Sequence, residues 1–80
     1  MSNYVKVVLA SERRTAQPER WAPAFRLILM EGGVFKETPK FYAPDENLTF
    51  PTKEEADQWA DSAARQWCAE NYPDWPVNSN

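Results

Sequence analysis

Histidine, the side chain that most often serves as base, acid or metal ligand near neutral pH, does not occur in this sequence. Nucleophile arrangements of the Ser-His-Asp or Cys-His kind are therefore excluded. The one cysteine, Cys68, falls near the C-terminal end of an expected helix, where the helix dipole disfavours a thiolate. It reads as a small core hydrophobe rather than a reactive group. Two carboxylate pairs, Glu54/Glu55 and Asp57/Asp61, fall at the start of that helix and on its expected solvent side. Neither position isolates a carboxyl group for acid–base work. Gly32-Gly33 lies in neither a G-x-G-x-x-G nor a Walker pattern and reads as a tight turn, not a phosphate loop. No cofactor and no metal are expected, and the chain reads as a non-enzymatic interaction domain.

What remains for function is charge and aromatic content. Residues 1–44 carry Lys6, Arg13, Arg14, Arg20, Arg26, Lys36 and Lys40 against four Glu, a net of +3, whereas residues 45–80 have a net of -6. The densest basic group, Arg13, Arg14 and Arg20, lies beside Trp21, and Arg and Trp are the residues that dominate protein-binding hot spots. These four are the first candidates for contact with a protein partner. The alternative is nucleic-acid binding by the basic half, with Arg26, Lys36 and Lys40 on phosphates. The total charge of -3 and the interspersed Glu residues disfavour it, because phosphate recognition needs a net positive face.

The elements that must position these residues follow from periodicity. Residues 4–10 alternate with Val5, Val7 and Leu9 on one face, and residues 24–30 alternate with Phe25, Leu27 and Leu29 on one face. Both are strands. Gly32-Gly33 joins the second to a third strand over 34–42, in which Pro39 demands an edge position or an early end. Residues 11–23, with Pro18 and Pro23, read as a long loop. Thr52 and Glu55 form a T-x-x-E capping box that opens a helix over 53–71, ended by Pro73, with an extended tail over 72–80. On that helix Ala56, Trp59, Ala60, Ala63, Ala64 and Trp67 share a sector of about 140° that faces the core.

The expectation is one α+β domain spanning 1–80, a small antiparallel three-stranded sheet in β-β-β-α order with the helix packed on one face. If Val5, Val7, Leu9, Phe25, Leu27 and Leu29 meet the helix, Tyr4, Val8, Ile28 and Met30 point away from it. That second face is unusually apolar, and three occupants suit it: Trp21 and Trp75 folding over it, a second copy of the chain, or a partner. Tyr4, Ile28 and Met30 join the candidate binding residues on this ground.

The run Phe50-Pro51-Thr52-Lys53-Glu54-Glu55-Ala56 followed by Trp59-Ala60 resembles the strand end and helix start of the arm-type DNA-binding domains of phage integrases. The resemblance spans about ten residues and consists mainly of the capping box. It implies three strands, one helix and DNA contact through the sheet. A single Cys points to a reducing, cytoplasmic setting, and the longest apolar run, Leu27 to Met30, is far too short to cross a bilayer. The expected state is a monomer or weak homodimer.

Overall fold

The computed structural model describes residues 3–79, so the expected domain limits at Met1, Ser2 and Asn80 lie outside the described residues. Eight elements follow one another: β1 (Tyr4–Leu9), β2 (Glu12–Ala16), β3 (Glu19–Ala22), β4 (Ala24–Glu31), β5 (Val34–Glu37), β6 (Phe41–Tyr42), α1 (Lys53–Asn71) and β7 (Val77–Ser79). The fold is α+β with one helix and a mostly antiparallel sheet. The sheet is larger than the three strands expected. It runs β5-β4-β1-β7, with β6 also paired to β4, and β2-β3 form a separate two-stranded ribbon.

Three local causes account for the difference. Pro39 breaks the expected third strand into β5 and β6, and Thr38 closes the gap with its side-chain hydroxyl, which accepts from the Leu27 amide at 3.0 Å, and with its amide, which donates to the Leu27 carbonyl at 2.9 Å. The segment expected as a loop over 11–23 is instead a hairpin, because its polar residues pair backbone to backbone and turn at a cis Gln17–Pro18 peptide. Polarity there marks exposure, not irregular backbone. The tail returns to the sheet, with Val77 opposite Val5 in a parallel pairing that the Pro76 carbonyl extends by accepting the Val5 amide at 2.9 Å.

The turn at Gly32-Gly33 forms as its composition demands, with φ of 57° and 84°, a region that side-chain-bearing residues rarely adopt. Helix α1 begins where Thr52 Oγ accepts the Glu55 amide at 3.2 Å and ends where Tyr72 donates to the Cys68 carbonyl at 2.7 Å. The helix packs on Val5, Val7, Phe25 and Leu27, all buried, and Leu9 and Leu29 lie at the margin of that cluster. This is the sheet face that alternation assigned to the core.

The helix meets the sheet in a different rotation from the one expected. Ala56, Ala60, Ala64 and Cys68 are fully buried, whereas Trp59, Ala63 and Trp67 are half-buried. At 100° per residue, the centre of the buried sector lies about 50° closer to Asp57 than the sequence pattern placed it. The physical reason is size. A stripe of small side chains lets helix and sheet approach closely, and the large rings then fit only beside the line of contact. Phe25, Phe41, Trp67, Tyr72 and Trp75 form a continuous chain of rings along one side of that line, with successive centroids 4.8–5.8 Å apart. Trp75 thereby belongs to the helix side and does not fold over the opposite face.

The same rotation draws in Asp57, which the sequence pattern placed among solvent-side charges. Its side chain retains 16% exposure and meets Lys53 Nζ at 2.7 Å. Burial pushes its carboxyl upward, but the Lys53 ammonium bonded to it and the nearby polar groups of Ser11 outweigh this and hold it below the usual aspartate range. Ser11, between β1 and β2, is itself buried. Asp61 and Arg65 do pair at 3.0 Å on the outer side of the helix, as their spacing predicted.

Candidate functional site

The sheet face turned away from the helix is assembled by cross-strand register. Tyr4 lies opposite Met30, and Met30 lies opposite Phe35, so three large apolar side chains form one row across β1, β4 and β5. The next row is Lys6, Ile28 and Glu37, with Asn78 of β7 beside Lys6, and the third is Val8 with Arg26. Alternation puts all of these on one face. Tyr4, Val8, Ile28 and Met30 are half-buried by their neighbours, none of them sealed. Phe35 is 69% exposed and Val34, its neighbour on the helix side of the same strand, is 62% exposed.

Charge frames this apolar row on one side. Arg26 and Glu37 join β4 to β5 beside it at 2.9 Å, and both remain accessible. Such an exposed pair contributes little to stability. It does define a polar margin for the patch, the arrangement of an apolar centre with a charged rim found at protein-binding surfaces.

The ribbon candidates lie at the other end of the sheet, because β4 starts beside the ribbon at Ala24 and ends at the Gly32-Gly33 turn. Arg13 pairs across the ribbon with Trp21, and an irregularity between Arg13 and Thr15 displaces Arg14 from that register. Arg13 and Arg14 are exposed, while Trp21 is half-buried, its indole donating to Glu19 Oε1 at 2.7 Å. The Trp21 backbone exchanges two hydrogen bonds with Phe50, which ties the ribbon to the entry of the helix. Arg20 has a structural role: its guanidinium donates to Thr49 Oγ at 2.9 Å and to the Thr49 carbonyl at 2.6 Å. The four residues thus do not form one cluster.

The residues proposed to touch phosphates are also scattered. Arg26 points to the outer face and is paired with Glu37, whereas Lys36, opposite Leu29, is on the helix face. Lys40 donates to Glu12 Oε1 at 2.5 Å, and the Tyr42 hydroxyl donates to the same oxygen at 3.3 Å. The Lys40 bond holds the Glu12 carboxyl below the usual glutamate range. These three cations present no common surface.

Recesses also open on the surface. One, about 510 Å³, lies between the ribbon and the 42–48 segment and brings Glu12 and Arg14 together with Tyr42, Asp45 and Glu46. A groove of about 310 Å³ runs between β5 and the C-terminal rings, lined by Leu29, Glu31, Val34, Lys36, Tyr72 and Trp75. A shallower apolar recess of about 180 Å³ lies beside Trp59 and Trp67. Among the described residues no group of three or more His, Cys, Asp and Glu is placed to hold a metal ion, and no helix is long and apolar enough to cross a membrane. Cys68 is buried, and that burial pushes its thiol up from its usual range.

No protein-family model matches the chain, and neither a curated protein nor a solved structure matches it. The ten-residue likeness to integrase arm domains accordingly assigns no family.

Proximity to Phe35 was readable in the sequence, although the sequence pattern did not single it out. Once Gly32-Gly33 fixes the hairpin, Glu31 faces Val34 and Met30 faces Phe35 by counting outward. Pro39 already argued for an edge strand, and an aromatic residue on an edge strand away from the helix has nothing to bury it.

Proposed function

We propose that this chain is a non-catalytic, cytoplasmic protein-interaction domain that engages its partner with the sheet face opposite the helix. The observation that carries this reading is the row Tyr4–Met30–Phe35, apolar across three strands and ending in a ring that is 69% exposed. Soluble domains rarely leave contiguous large apolar side chains bare unless another molecule covers them. Ile28 extends the patch along β4, and Lys6, Arg26 and Glu37 give it a charged margin. Arg13, Arg14 and Trp21 on the ribbon supply a second, separate contact region, and Arg20 supports it through Thr49. The partner chemistry that fits is an apolar strand or helix face with mixed charge at its edge.

The test is affinity capture from the native host with the wild-type chain and a Met30→Glu variant. A partner retained by the wild type and lost by the variant, with the variant's circular dichroism unchanged, supports the reading. A partner retained equally by both contradicts the choice of face.

Nucleic-acid binding has one observation in its favour, which is the ribbon itself, since a two-stranded antiparallel ribbon fits the DNA major groove. Titration of duplex and single-stranded oligonucleotides at ~50 mM and ~200 mM salt tests it, because phosphate-driven affinity falls steeply between those values. Absence of binding at the lower salt removes this reading.

A further inference from the structure

We infer that strand β5 is a self-pairing edge, and that two copies of this chain associate by antiparallel addition of β5 to β5 into one continuous sheet. The inference starts from hydrogen-bond parity. The Thr38 amide donates to the Leu27 carbonyl and the two-residue Gly32-Gly33 turn closes on Glu31/Val34, so the alternation of an antiparallel ladder makes Leu29/Lys36 and Glu31/Val34 bonded pairs and leaves Met30/Phe35 and Ile28/Glu37 unbonded. The amide and carbonyl of Phe35 and of Glu37 therefore point away from β4. β5 ends the strand order, so these groups face outward at the sheet edge. All four β5 residues are exposed. Edges of this kind are templates for another strand unless charge, proline or a covering segment blunts them.

Register chooses between the self-pairings that remain. A two-fold axis perpendicular to the sheet must pass through one residue pair, and only Phe35 or Lys36 lies near the middle of the strand. Centring on Lys36 sets two ammonium groups directly opposite each other, which is destabilising. Centring on Phe35 lets the two Phe35 backbones exchange both hydrogen bonds and stacks the two rings on the outer face. On the helix face, Val34 of one copy then lies beside Lys36 of the other, and Glu31 is the next residue across, opposite Val34 in its own hairpin. The Lys36 stem covers the exposed Val34, and its ammonium reaches toward Glu31, which lines the same groove. Two-fold symmetry makes this charge match twice. Dimerisation also joins the two Tyr4–Met30–Phe35 rows end to end.

This pairing does not rest on the partner-binding reading; a chain that pairs through β5 and captures no other protein satisfies it. A contact of one short strand lies at the small end of interfaces, so the association is weak. Sedimentation velocity from ~10 µM to ~1 mM is the measurement, since weak pairs of this size dissociate in the micromolar range or above. The wild type is expected to shift from monomer toward dimer as concentration rises. Phe35→Pro removes an amide that serves no bond within the sheet, so it should keep the circular dichroism of the wild type and remain monomeric. Glu31→Lys should weaken pairing by ~2–10-fold, and Glu31→Lys combined with Lys36→Glu should restore it. A wild type that stays monomeric throughout, or a folded Phe35→Pro variant that dimerises like the wild type, overturns the inference. The charge-swapped pair decides the register should Phe35→Pro lose its fold: failure of the double variant to recover what Glu31→Lys loses overturns it.

Discussion

The two faces of the central sheet are built from the same two strands and reach opposite results. Residues Val5, Val7, Phe25 and Leu27 on one face are sealed beneath a stripe of alanines, while Tyr4, Val8, Ile28 and Met30 on the other face are only half-covered by one another. Hydrophobicity does not distinguish the two sets. What distinguishes them is whether an element of this chain lies above them. One helix of 19 residues suffices to close one face of the sheet, and the tail that was free to close the other instead joined β1 as β7 and placed Trp75 on the helix side. The closed face supplies stability and the open face supplies a surface.

The comparison breaks first at the closed face. Phe25 is 6% exposed and packs its ring against Phe41 at 5.1 Å. Phe25→Ala is expected to cost about 3–5 kcal/mol, from lost burial and the cavity left behind. In a chain of this size that is a large share of a total that is typically about 5–15 kcal/mol. Urea denaturation followed by Trp fluorescence measures it. A loss well below that range would show that the face is loosely packed.

Enlarging the stripe is a gentler test of the same closeness. Ala64 is fully buried between helix and sheet, so Ala64→Leu inserts volume where there is none and is expected to cost about 1–3 kcal/mol. The half-buried Ala63, one position along, should accept leucine with a smaller loss. Equal effects at the two positions would return the helix to the rotation that the sequence pattern suggested, with the tryptophans at the centre.

Asp57 sharpens the comparison through pH. Its carboxyl titrates below the usual aspartate range in the folded chain, so its contribution is present above the unfolded pKa and is lost as pH falls through the lower folded value. Stability should therefore decline on acidification below about pH 4, and Asp57→Asn should make that part of the decline shallower. Thermal unfolding of both proteins across pH 2–7 shows the difference. Parallel pH profiles would mean that the partly buried setting beside Lys53 does not favour the charged form of Asp57.

How far the sequence foretold this architecture depended on whether the signal was local. Alternation in residues 4–10 and 24–30, the Gly32-Gly33 turn and the Thr52 cap are local signals, and β1, β4, their buried faces and the helix limits followed from them. Pairings set by distant partners were not legible. Nothing within Glu12–Ala22 says that it forms a ribbon, because its strands bury little and find their order from each other and from Phe50. Val77–Ser79 likewise becomes a strand only because β1 has an open edge. The rotation of the helix was missed for a related reason: large rings dominate a hydrophobic pattern, whereas close approach is decided by the smallest residues. Of the candidate surface, Tyr4, Ile28 and Met30 were legible by parity, Phe35 needed the hairpin register, and the separation of Arg20 from Arg13 and Arg14 depended on Thr49, a residue distant in sequence.

The central claim, that one face of the sheet is closed and the other open, is tested most directly by two adjacent residues of β4. Leu27 is fully buried on the helix side and Ile28 is only half-buried on the other. Chemical denaturation of Leu27→Ala and Ile28→Ala, measured below the concentration at which the chains associate, compares the faces within one strand. Leu27→Ala is expected to lose about 2–5 kcal/mol and Ile28→Ala clearly less, about 1–2 kcal/mol, because part of the isoleucine stays in water and its removal leaves no enclosed cavity. Equal losses at the two positions would mean that something within this chain already packs on the outer face, and would contradict the account.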